Sequence, residues 1–404
     1  MHPVKSKHQQ VAALDAAMVR CVRERGGCSR VELARELKLA PSTAGIYVDR
    51  LVREGFLLES ATERRPVAGR PSAPLRPNPD RGRFIGVDFE ARSLTVAAVD
   101  FSQAPLRHAQ RAIAPGESVG QILAKIERAI AAAIESDPRP VLGIGVGVPG
   151  LIDPVTHVAV HYDFIHGWDQ IRLGARLEAR FGVPVFLENN IRSMALAELW
   201  FGAAKGLRNF VCVGIRSGVA AGVVVDGQLL HGARYRAGEI GHWTCPVPPE
   251  LAPQGAERGV DWGGPGAPRL EHVASLSALA AAAQRGVARG RRTSLAAGRG
   301  SVTADRVVSA ARAGDAYARS LVRAAGRVHG WVAHQLRVLF NPERLVFAGP
   351  LADPGLPFME AVCGTARGLD DAGDEADIVP STLGRANGAI GAAALALHQW
   401  RPVR

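Results

Sequence analysis

The chain has 404 residues and a net charge of +11, and 47% of its residues are hydrophobic, a globular composition. This length exceeds one ordinary hydrophobic core and predicts two or three folding units. The lack of a long apolar run excludes a membrane span, and five scattered cysteines without a CxxC pair argue against a cysteine-rich zinc site. Because no hydrophobic signal region is present at its start, the protein is expected to be cytoplasmic.

The positive charge is concentrated in the first fifth of the chain. Residues 1–83 contain 16 basic and 9 acidic residues, a net charge of +7. A basic segment of this kind favours a polyanionic partner. An arginine-rich composition that reflects only the coding bias of a GC-rich genome explains the same charge, so the charge alone does not decide between the two.

Hydrophobic spacing predicts three helices and a strand in this basic segment. Residues 10–25 have apolar side chains at helical intervals. A short second helix begins at Ser29, a predicted N-cap with a glutamate three residues later. A third helix is predicted over 41–54 and a strand over 56–58. This order is typical of a winged helix-turn-helix, which we assign to residues 1–60.

The third helix carries most of the residues that we expect to contact DNA. In this motif its N-terminal residues reach base edges in the major groove. The predicted DNA-binding residues are Arg30, Ser42, Thr43, Gly45, Ile46, Arg50 and Arg70. Arg70 belongs to the segment 61–83, which is rich in proline and arginine and is predicted to form a wing and linker. Its guanidinium either enters a narrow minor groove or lies in an ordinary solvated linker. The alternative for the whole unit is a small helical bundle that contacts other proteins.

From residue 84 onward, predicted strands alternate with helices. Three strands, a helix and a buried strand occupy 84–200, and a similar order repeats over 201–404. This duplication predicts two α/β lobes with a ligand site in the cleft between them. A final helix near 386–398 is able to return to the first lobe.

Several motifs in this order resemble the ROK family of bacterial sugar kinases and sugar-responsive repressors. They include Gly69-Arg70-Pro71, Gly145–Asp153, Glu188-Asn189-Asn190 and Gly238–His242. The resemblance spans about residues 10–398 and implies an actin/hexokinase-like fold for the two lobes. Within the family, the N-terminal winged helix is a feature of the repressor branch.

The resemblance also implies a sugar site in the cleft. The positions that match hexose-binding residues are Gly150, Asn189, Glu239, His242 and Glu271, and Asn190 is able to hydrogen-bond a hydroxyl group. His161, His166 and Trp168 lie in a loop that is able to line the same cleft, but we interpret it as a packed surface loop.

Three departures from the family kinases predict that the chain does not transfer phosphate. Asp88 is followed by Phe89–Arg92 instead of the Gly-Gly-Thr that contacts ATP phosphates in the kinases. The second phosphate loop reads Ile215–Ala220 and keeps one of its three glycines. The position of the catalytic aspartate is Asn190, whose amide cannot act as a general base. We therefore expect no catalytic residue and no bound ATP.

The zinc site of the family is also missing from the pattern. Its three cysteine positions fall on Trp262, Gly264 and Arg269. His242 and the distant Cys245 do not make four tetrahedral ligands. No metal or other cofactor is therefore expected.

The sequence thus predicts a DNA-binding transcriptional regulator, most simply a repressor, whose catalytically inactive kinase-like domain senses a sugar or sugar derivative. A homodimer or larger homo-oligomer on a double-stranded operator is expected, because helix-turn-helix proteins usually read two half-sites. Two alternatives stay open. One is a ROK-type carbohydrate kinase with an N-terminal appendage, and the other is a regulator that responds to a non-sugar ligand or a protein partner.

Overall fold

A computed structural model describes residues 7–59, 74–252, 267–297, 300–369 and 377–401. The α-helices in this part of the chain are α1 Lys7–Glu24, α2 Arg30–Glu36, α3 Pro41–Arg53, α4 Val119–Glu135, α5 Leu173–Phe181, α6 Asn190–Phe201, α7 Leu270–Ala274, α8 Leu276–Ala288, α9 Ala304–Arg312, α10 Ala316–Phe340, α11 Phe358–Leu369 and α12 Asn387–Gln399. The β-strands there are β1 Leu57–Glu59, β2 Leu75–Pro77, β3 Arg83–Phe89, β4 Ser93–Asp100, β5 Pro105–Ala112, β6 Val141–Val148, β7 Leu151–Asp153, β8 Val158–His161, β9 Asp169–Ile171, β10 Val185–Asn189, β11 Phe210–Ile215, β12 Val219–Val225, β13 Gln228–Leu229, β14 Arg344–Ala348 and β15 Asp377–Pro380.

Helices α1 to α3 and a short hairpin form the N-terminal unit. The Ser29 hydroxyl accepts a hydrogen bond from the Glu32 amide at 3.2 Å, and the Glu32 carboxylate accepts one from the Ser29 amide at 2.8 Å. This reciprocal pair is the predicted start of α2. Strand β2 pairs antiparallel with β1 and lies inside the segment 61–83 that was predicted as wing and linker. Arg70 lies outside the described residues.

One hydrophobic core joins the N-terminal unit to the rest of the molecule. Phe56 from this unit packs with Phe84 and Phe101 of the first lobe and with Trp400, the residue after α12. The Trp400 ring centroid is 5.6 Å from that of Phe56 and 5.4 Å from that of Phe101. In addition, the buried Arg23 guanidinium of α1 donates to the Phe101 carbonyl at 3.3 Å. A rotation of the N-terminal unit would therefore have to repack this shared core.

The first lobe is built on a five-stranded sheet with the order β10-β6-β3-β4-β5. Helix α12 returns to this lobe and packs against β3, β6 and α6. Glycines make this close approach possible: a Cβ at Gly86 would lie 1.9 Å from the Ala389 carbonyl oxygen, and one at Gly145 would lie 1.8 Å from that of Ala392. The C-terminal helix thus connects the base of the cleft, where α6 begins, to the N-terminal unit.

The second lobe repeats the design with a sheet ordered β13-β12-β11-β14-β15. Its long helix α10 is buried against α11, α9 and α8. The chain is interrupted between α7 and α8, so that these two helices do not form a single one. Ser275 lies at the break in an extended conformation, and its hydroxyl caps α8 by accepting from the Ala278 amide at 3.1 Å.

The small sheet β7-β8-β9 and helices α5 and α11 have no counterpart in the sequence-based prediction. Each of the three strands has only three or four residues, too few for a period of two to be recognised. Otherwise the order of elements confirms a winged helix-turn-helix followed by two α/β lobes. Among the described helices, none combines the length and apolarity needed to cross a membrane.

Candidate functional site

A cavity of about 440 Å³ lies between the lobes, next to the ends of β6 and β10 and the start of α6. We call it the interlobe cavity. Its walls include all six residues that the sequence indicated for ligand binding: Gly150, Asn189, Asn190, Glu239, His242 and Glu271. The fold therefore brings together residues from four separate segments of the chain.

Two asparagines, Asn189 and Asn190, form the base of the interlobe cavity, and their side chains differ in their hydrogen bonds. The Asn189 side chain caps α6 by accepting from the Ile191 amide at 2.9 Å, and its amide nitrogen donates to the Gly150 carbonyl at 3.0 Å. Much of its hydrogen-bonding capacity is thus used by the backbone. Asn190 is buried beside it and makes no hydrogen bond through its side chain within the described residues, so its amide is available to a ligand.

The acidic wall of the interlobe cavity comes from the second lobe. Gly238 has a φ of 89°, and a Cβ there would lie 1.8 Å from the Ala221 carbonyl oxygen. This tight turn holds Glu239 against β12. Burial raises the pKa of Glu239, although the nearby Arg192 acts in the opposite direction. Glu271, from the first turn of α7, lies on the same side of the cavity.

His242 stands at the exposed edge of this wall. The Arg269 guanidinium donates to its Nδ1 at 3.2 Å. The neutral ring therefore carries its proton on Nε2, where it can act as a donor.

A buried ion-pair cluster supports the segment that leads to Glu239. Arg192 donates to Glu188 at 2.7 Å, and the His231 Nε2 lies 2.8 Å from the same carboxylate. Arg192 also donates to the Tyr235 carbonyl at 2.9 Å. Burial acts to raise the pKa of Glu188, but hydrogen bonds from His231 and Arg192 lower it below its usual value. The cluster fastens the loop before Glu239 to α6, so these residues position the site rather than form its surface.

The remaining wall was only partly foreseen from the sequence. His161 lines the cavity, contrary to its interpretation as packed surface, and its Nε2 lies 2.9 Å from Asp163. Trp168 is buried against Phe89, with ring centroids 5.1 Å apart, and His166 is exposed and does not line the cavity. The remaining cavity-lining residues that the sequence did not indicate for ligand binding include Tyr162, Phe164, Arg216 and Arg236. Arg216 belongs to the segment Ile215–Ala220, which was singled out only as a departure from the kinase pattern, and the other three lie in loops that no motif marked.

The two segments that depart from the kinase pattern face each other across the cleft. The Arg216 guanidinium, which follows β11, donates to the two carboxylate oxygens of Asp88 on β3, at 3.0 and 2.5 Å. The side chains of Arg216 and Asp88 are only 12% and 3% exposed. The Ser217 amide and hydroxyl donate to Glu90 at 3.2 and 3.0 Å. An ion-pair cluster thus joins the lobes at the two positions that match the phosphate loops of the kinases by resemblance.

The exposed surface of α3 contains four of the predicted DNA-binding residues. Ser42 is exposed, Thr43 and Gly45 are partly exposed, and the Ile46 side chain is 69% exposed. A Cβ at Gly45 would meet no atom of the described residues within 4 Å, so packing among these residues does not require a glycine there. The open surface leaves room for the backbone to approach another molecule closely.

The two predicted arginines of this unit are engaged in internal ion pairs. Arg30 donates to Glu59 at 2.7 Å and to Asp49 at 2.6 Å. Arg50 donates to Asp15, a fully buried residue of α1, and its guanidinium lies 4.5 Å from the Tyr47 ring centroid. Both arginines therefore brace the N-terminal unit in this structure.

Comparison with known proteins agrees with this architecture. Residues 84–399 match the model of the ROK family, and residues 13–57 match a winged helix-turn-helix DNA-binding model. The chain belongs to the ROK family.

Relatives of this ROK protein include both enzymes and regulators. It is 34% identical to a glucokinase of Halalkalibacterium halodurans over 64% of its own length and 77% of the relative. It is 27% identical to the DNA-binding transcriptional dual regulator NagC of Escherichia coli, over 94% and 91% of the two chains. A solved ROK family transcriptional regulator, a homologue of the E. coli MLC protein, has the same fold, with a TM-score of 0.77, 24% identity and 96% coverage of both chains.

The zinc site of the ROK family does not fit the residues described here. Arg269 places a cation at the Nδ1 of His242, which opposes a metal ion at that nitrogen. Cys245 is buried, and burial raises the pKa of its thiol to about 12. In the described part of the chain no three His, Cys, Asp or Glu side chains are grouped to hold a metal. Trp262 and Gly264 lie outside it.

Proposed function

We propose that this ROK protein is a transcriptional regulator that binds an operator through its winged helix and senses a sugar or sugar derivative in the interlobe cavity. The convergence of the six predicted ligand residues on that cavity carries the proposal. A DNA-binding relative that aligns over 94% of this chain supports it. The regulator acts in the cytoplasm, where its operator lies.

The interlobe cavity suits a polyhydroxylated ligand. The carboxylates of Glu239 and Glu271 accept hydrogen bonds from hydroxyl groups, whereas Asn190 both donates and accepts. His242 adds a donor through Nε2. The Phe164 ring, 45% exposed and part of the cavity wall, offers an apolar surface to the face of a sugar ring.

We propose further that the cavity binds the sugar without phosphorylating it. Asn190 cannot remove a proton from the hydroxyl group. The Arg216–Asp88 ion pair lies between the segments that would have to admit a nucleotide. Neither ATP nor zinc is required for the proposed function.

The mechanism is thermodynamic linkage between the interlobe cavity and the winged helix. An effector that prefers one arrangement of the lobes shifts the population of molecules that can bind the operator. Helix α6 begins at the cavity with Asn190 and packs along α12, which ends next to Trp400 in the core shared with the N-terminal unit. A homodimer is proposed because it presents two winged helices to two half-sites.

The proposed base contacts are those of the exposed α3 surface, Ser42, Thr43, Gly45 and Ile46. Because Arg50 is held by Asp15, we propose that it positions α3 instead of reading a base. Arg30, bound to Glu59 and Asp49, has the same role in our proposal. Arg70 stays a proposed minor-groove contact.

Calorimetric titration of the protein with neutral, N-acetylated and phosphorylated sugars tests the sensing half of the proposal. Saturable heat with one of them is expected, and Glu239→Ala should require about 10- to 100-fold more of that sugar to reach saturation. Absence of heat with every sugar, alongside selective operator binding, would favour a non-sugar ligand or a protein partner.

A second function is favoured by the glucokinase relative at 34% identity. A coupled assay for ADP release from ATP with the same sugars distinguishes it. Sugar-dependent turnover would establish a kinase and overturn the proposed absence of catalysis.

A further inference from the structure

The ion-pair cluster between the lobes has a role that the proposed function does not assign. It consists of Asp88 and Glu90 from the first lobe and Arg216 and Ser217 from the second, and we call it the clasp. Asp88 and Arg216 are 128 positions apart in the sequence, so the pair forms only when the two lobes approach each other.

The geometry of the clasp is that of a strong, largely dry contact. Arg216 forms a bidentate pair with Asp88, and one of its nitrogens also lies 3.6 Å from Glu90. Planar fork-to-carboxylate pairing of this type adds orientation to the charge attraction. Removing one member of such a buried pair leaves uncompensated charge on the other side of the cleft.

The clasp also forms part of two pockets. Glu90 and Arg216 line the interlobe cavity and, on their other side, a smaller pocket of about 170 Å³. Of these two pockets, Asp88 lines the smaller one and not the interlobe cavity. The clasp is therefore the partition between the proposed sugar site and the side of the cleft that carries phosphate loops in the kinase pattern.

We infer that the clasp takes over the part that a bound nucleotide plays in a two-lobed kinase, by holding the lobes together with the protein's own charges. Asp88 acts here as a positioning residue, because it fixes Arg216 without touching the interlobe cavity. This inference rests on the proposed function only for the identity of the ligand that enters the cavity. The closure itself requires neither sugar nor DNA.

Small-angle X-ray scattering of Asp88→Asn, without sugar, nucleotide or DNA, tests the inference. The variant keeps the shape of the side chain and removes its charge, so the lobes should separate and the radius of gyration should rise. Asp100→Asn is the matched control. Asp100 is also a buried carboxylate at the end of a strand of the first lobe, but its hydrogen bonds go to Ser102 and Ala104 of the same lobe.

A rise in the radius of gyration for Asp88→Asn and not for Asp100→Asn supports the clasp. Equal values for both variants and the wild type would overturn it. Glu90→Gln with Ser217→Ala provides a second test, since it leaves the Asp88–Arg216 pair in place. This double variant should open the lobes less than Asp88→Asn does. If Asp88→Asn does not fold, the double variant is measured in its place. A radius of gyration equal to that of the wild type would then overturn the inference.

Calorimetric titration of the wild type with magnesium-ATP provides the complementary test. No heat of binding is expected, because Arg216 and Asp88 are already paired with each other and neither is available to the nucleotide. Saturable ATP binding that also lowers the radius of gyration would overturn the inference. Both tests can succeed even if no sugar alters operator binding, so failure of the clasp and failure of the proposed function are distinguishable.

Discussion

The two halves of the interlobe cleft are built in opposite ways. On one side, Glu239, Glu271 and Asn190 line an open cavity with groups that suit hydroxyls. On the other side, Arg216 and Asp88 bind each other across the cleft. In our proposal, ligand binding and the fixed contact between the lobes therefore depend on separate residues. One half can therefore be kept for sensing while the other becomes a fixed contact between lobes.

The largest effect is expected from Arg216→Met, which breaks the closed half of the cleft. The variant leaves Asp88 and Glu90 facing each other without a cation, and loss of one partner of a buried ion pair costs about 3 to 5 kcal/mol. Chemical denaturation should show a decrease of this size in the free energy of unfolding. A decrease below about 1 kcal/mol, the value typical of an exposed pair, would show that the contact is not an important tie.

Glu239→Ala tests the open half. Loss of the Glu239 carboxylate should weaken sugar binding about 10- to 100-fold, because a hydrogen bond to a charged group contributes about 1.5 to 3 kcal/mol. Calorimetry measures the affinity for the responding sugar, and operator affinity without sugar should not change. Glu250→Ala is a control, since Glu250 pairs with Arg327 on the surface of the second lobe and does not line the cavity. Equal losses in both variants would contradict the assignment.

The pH dependence of stability should come from histidines outside the cleft. Burial lowers the pKa of His329 from 6.5 to about 4, and its Nε2 lies 3.0 Å from the Ala274 carbonyl oxygen. Between these pH values the unfolded chain binds a proton that the folded chain does not, so the free energy of unfolding falls as the pH decreases. At pH 5 the expected loss from His329 is about 2 kcal/mol.

Burial lowers the pKa of His398 as well, which adds in the same direction. Denaturation of His329→Gln at pH 7 and pH 5 should show a smaller decrease than the wild type shows. If the free energy of unfolding of His329→Gln falls as much between pH 7 and pH 5 as that of the wild type, His329 is not the group that titrates.

The smallest expected effect is that of Asn190→Asp on turnover. Restoring a carboxylate at the position of the kinase base should give no sugar-dependent ADP release, because the clasp still blocks the phosphate half. A coupled assay with the wild type alongside measures this. Turnover in the variant alone would show that the two halves are not independent.

Short motifs could be recognised in the sequence where local backbone geometry fixes them, such as the cap at Asn189 and the turn at Gly238. The capping box at Ser29 was predictable for the same reason. That Glu188-Asn189-Asn190 and Gly238–His242 contribute to one site was implied by the family resemblance, and in the structure residues of both motifs line the same cavity.

Pairing between charged residues was not predictable, because it depends on segments that meet only in the fold. Arg50 binds Asp15, 35 positions away, and Arg216 binds Asp88, 128 positions away. The sequence predicted Arg50 as a DNA-binding residue but could not show which acid lies beside it. The sequence showed that the segment Ile215–Ala220 keeps only one of the three glycines of the kinase phosphate loop. That Arg216 of this segment pairs with Asp88 could be seen only in the structure.

Fluorescence anisotropy of the full chain with the DNA upstream of its own gene, repeated with each sugar of the panel, tests the proposed regulator most directly. We expect salt-sensitive, sequence-selective binding that one sugar or sugar derivative alters in the wild type and not in Glu239→Ala. Selective binding that no sugar alters would contradict the sensing role, and the absence of selective binding would contradict the proposed regulator as a whole.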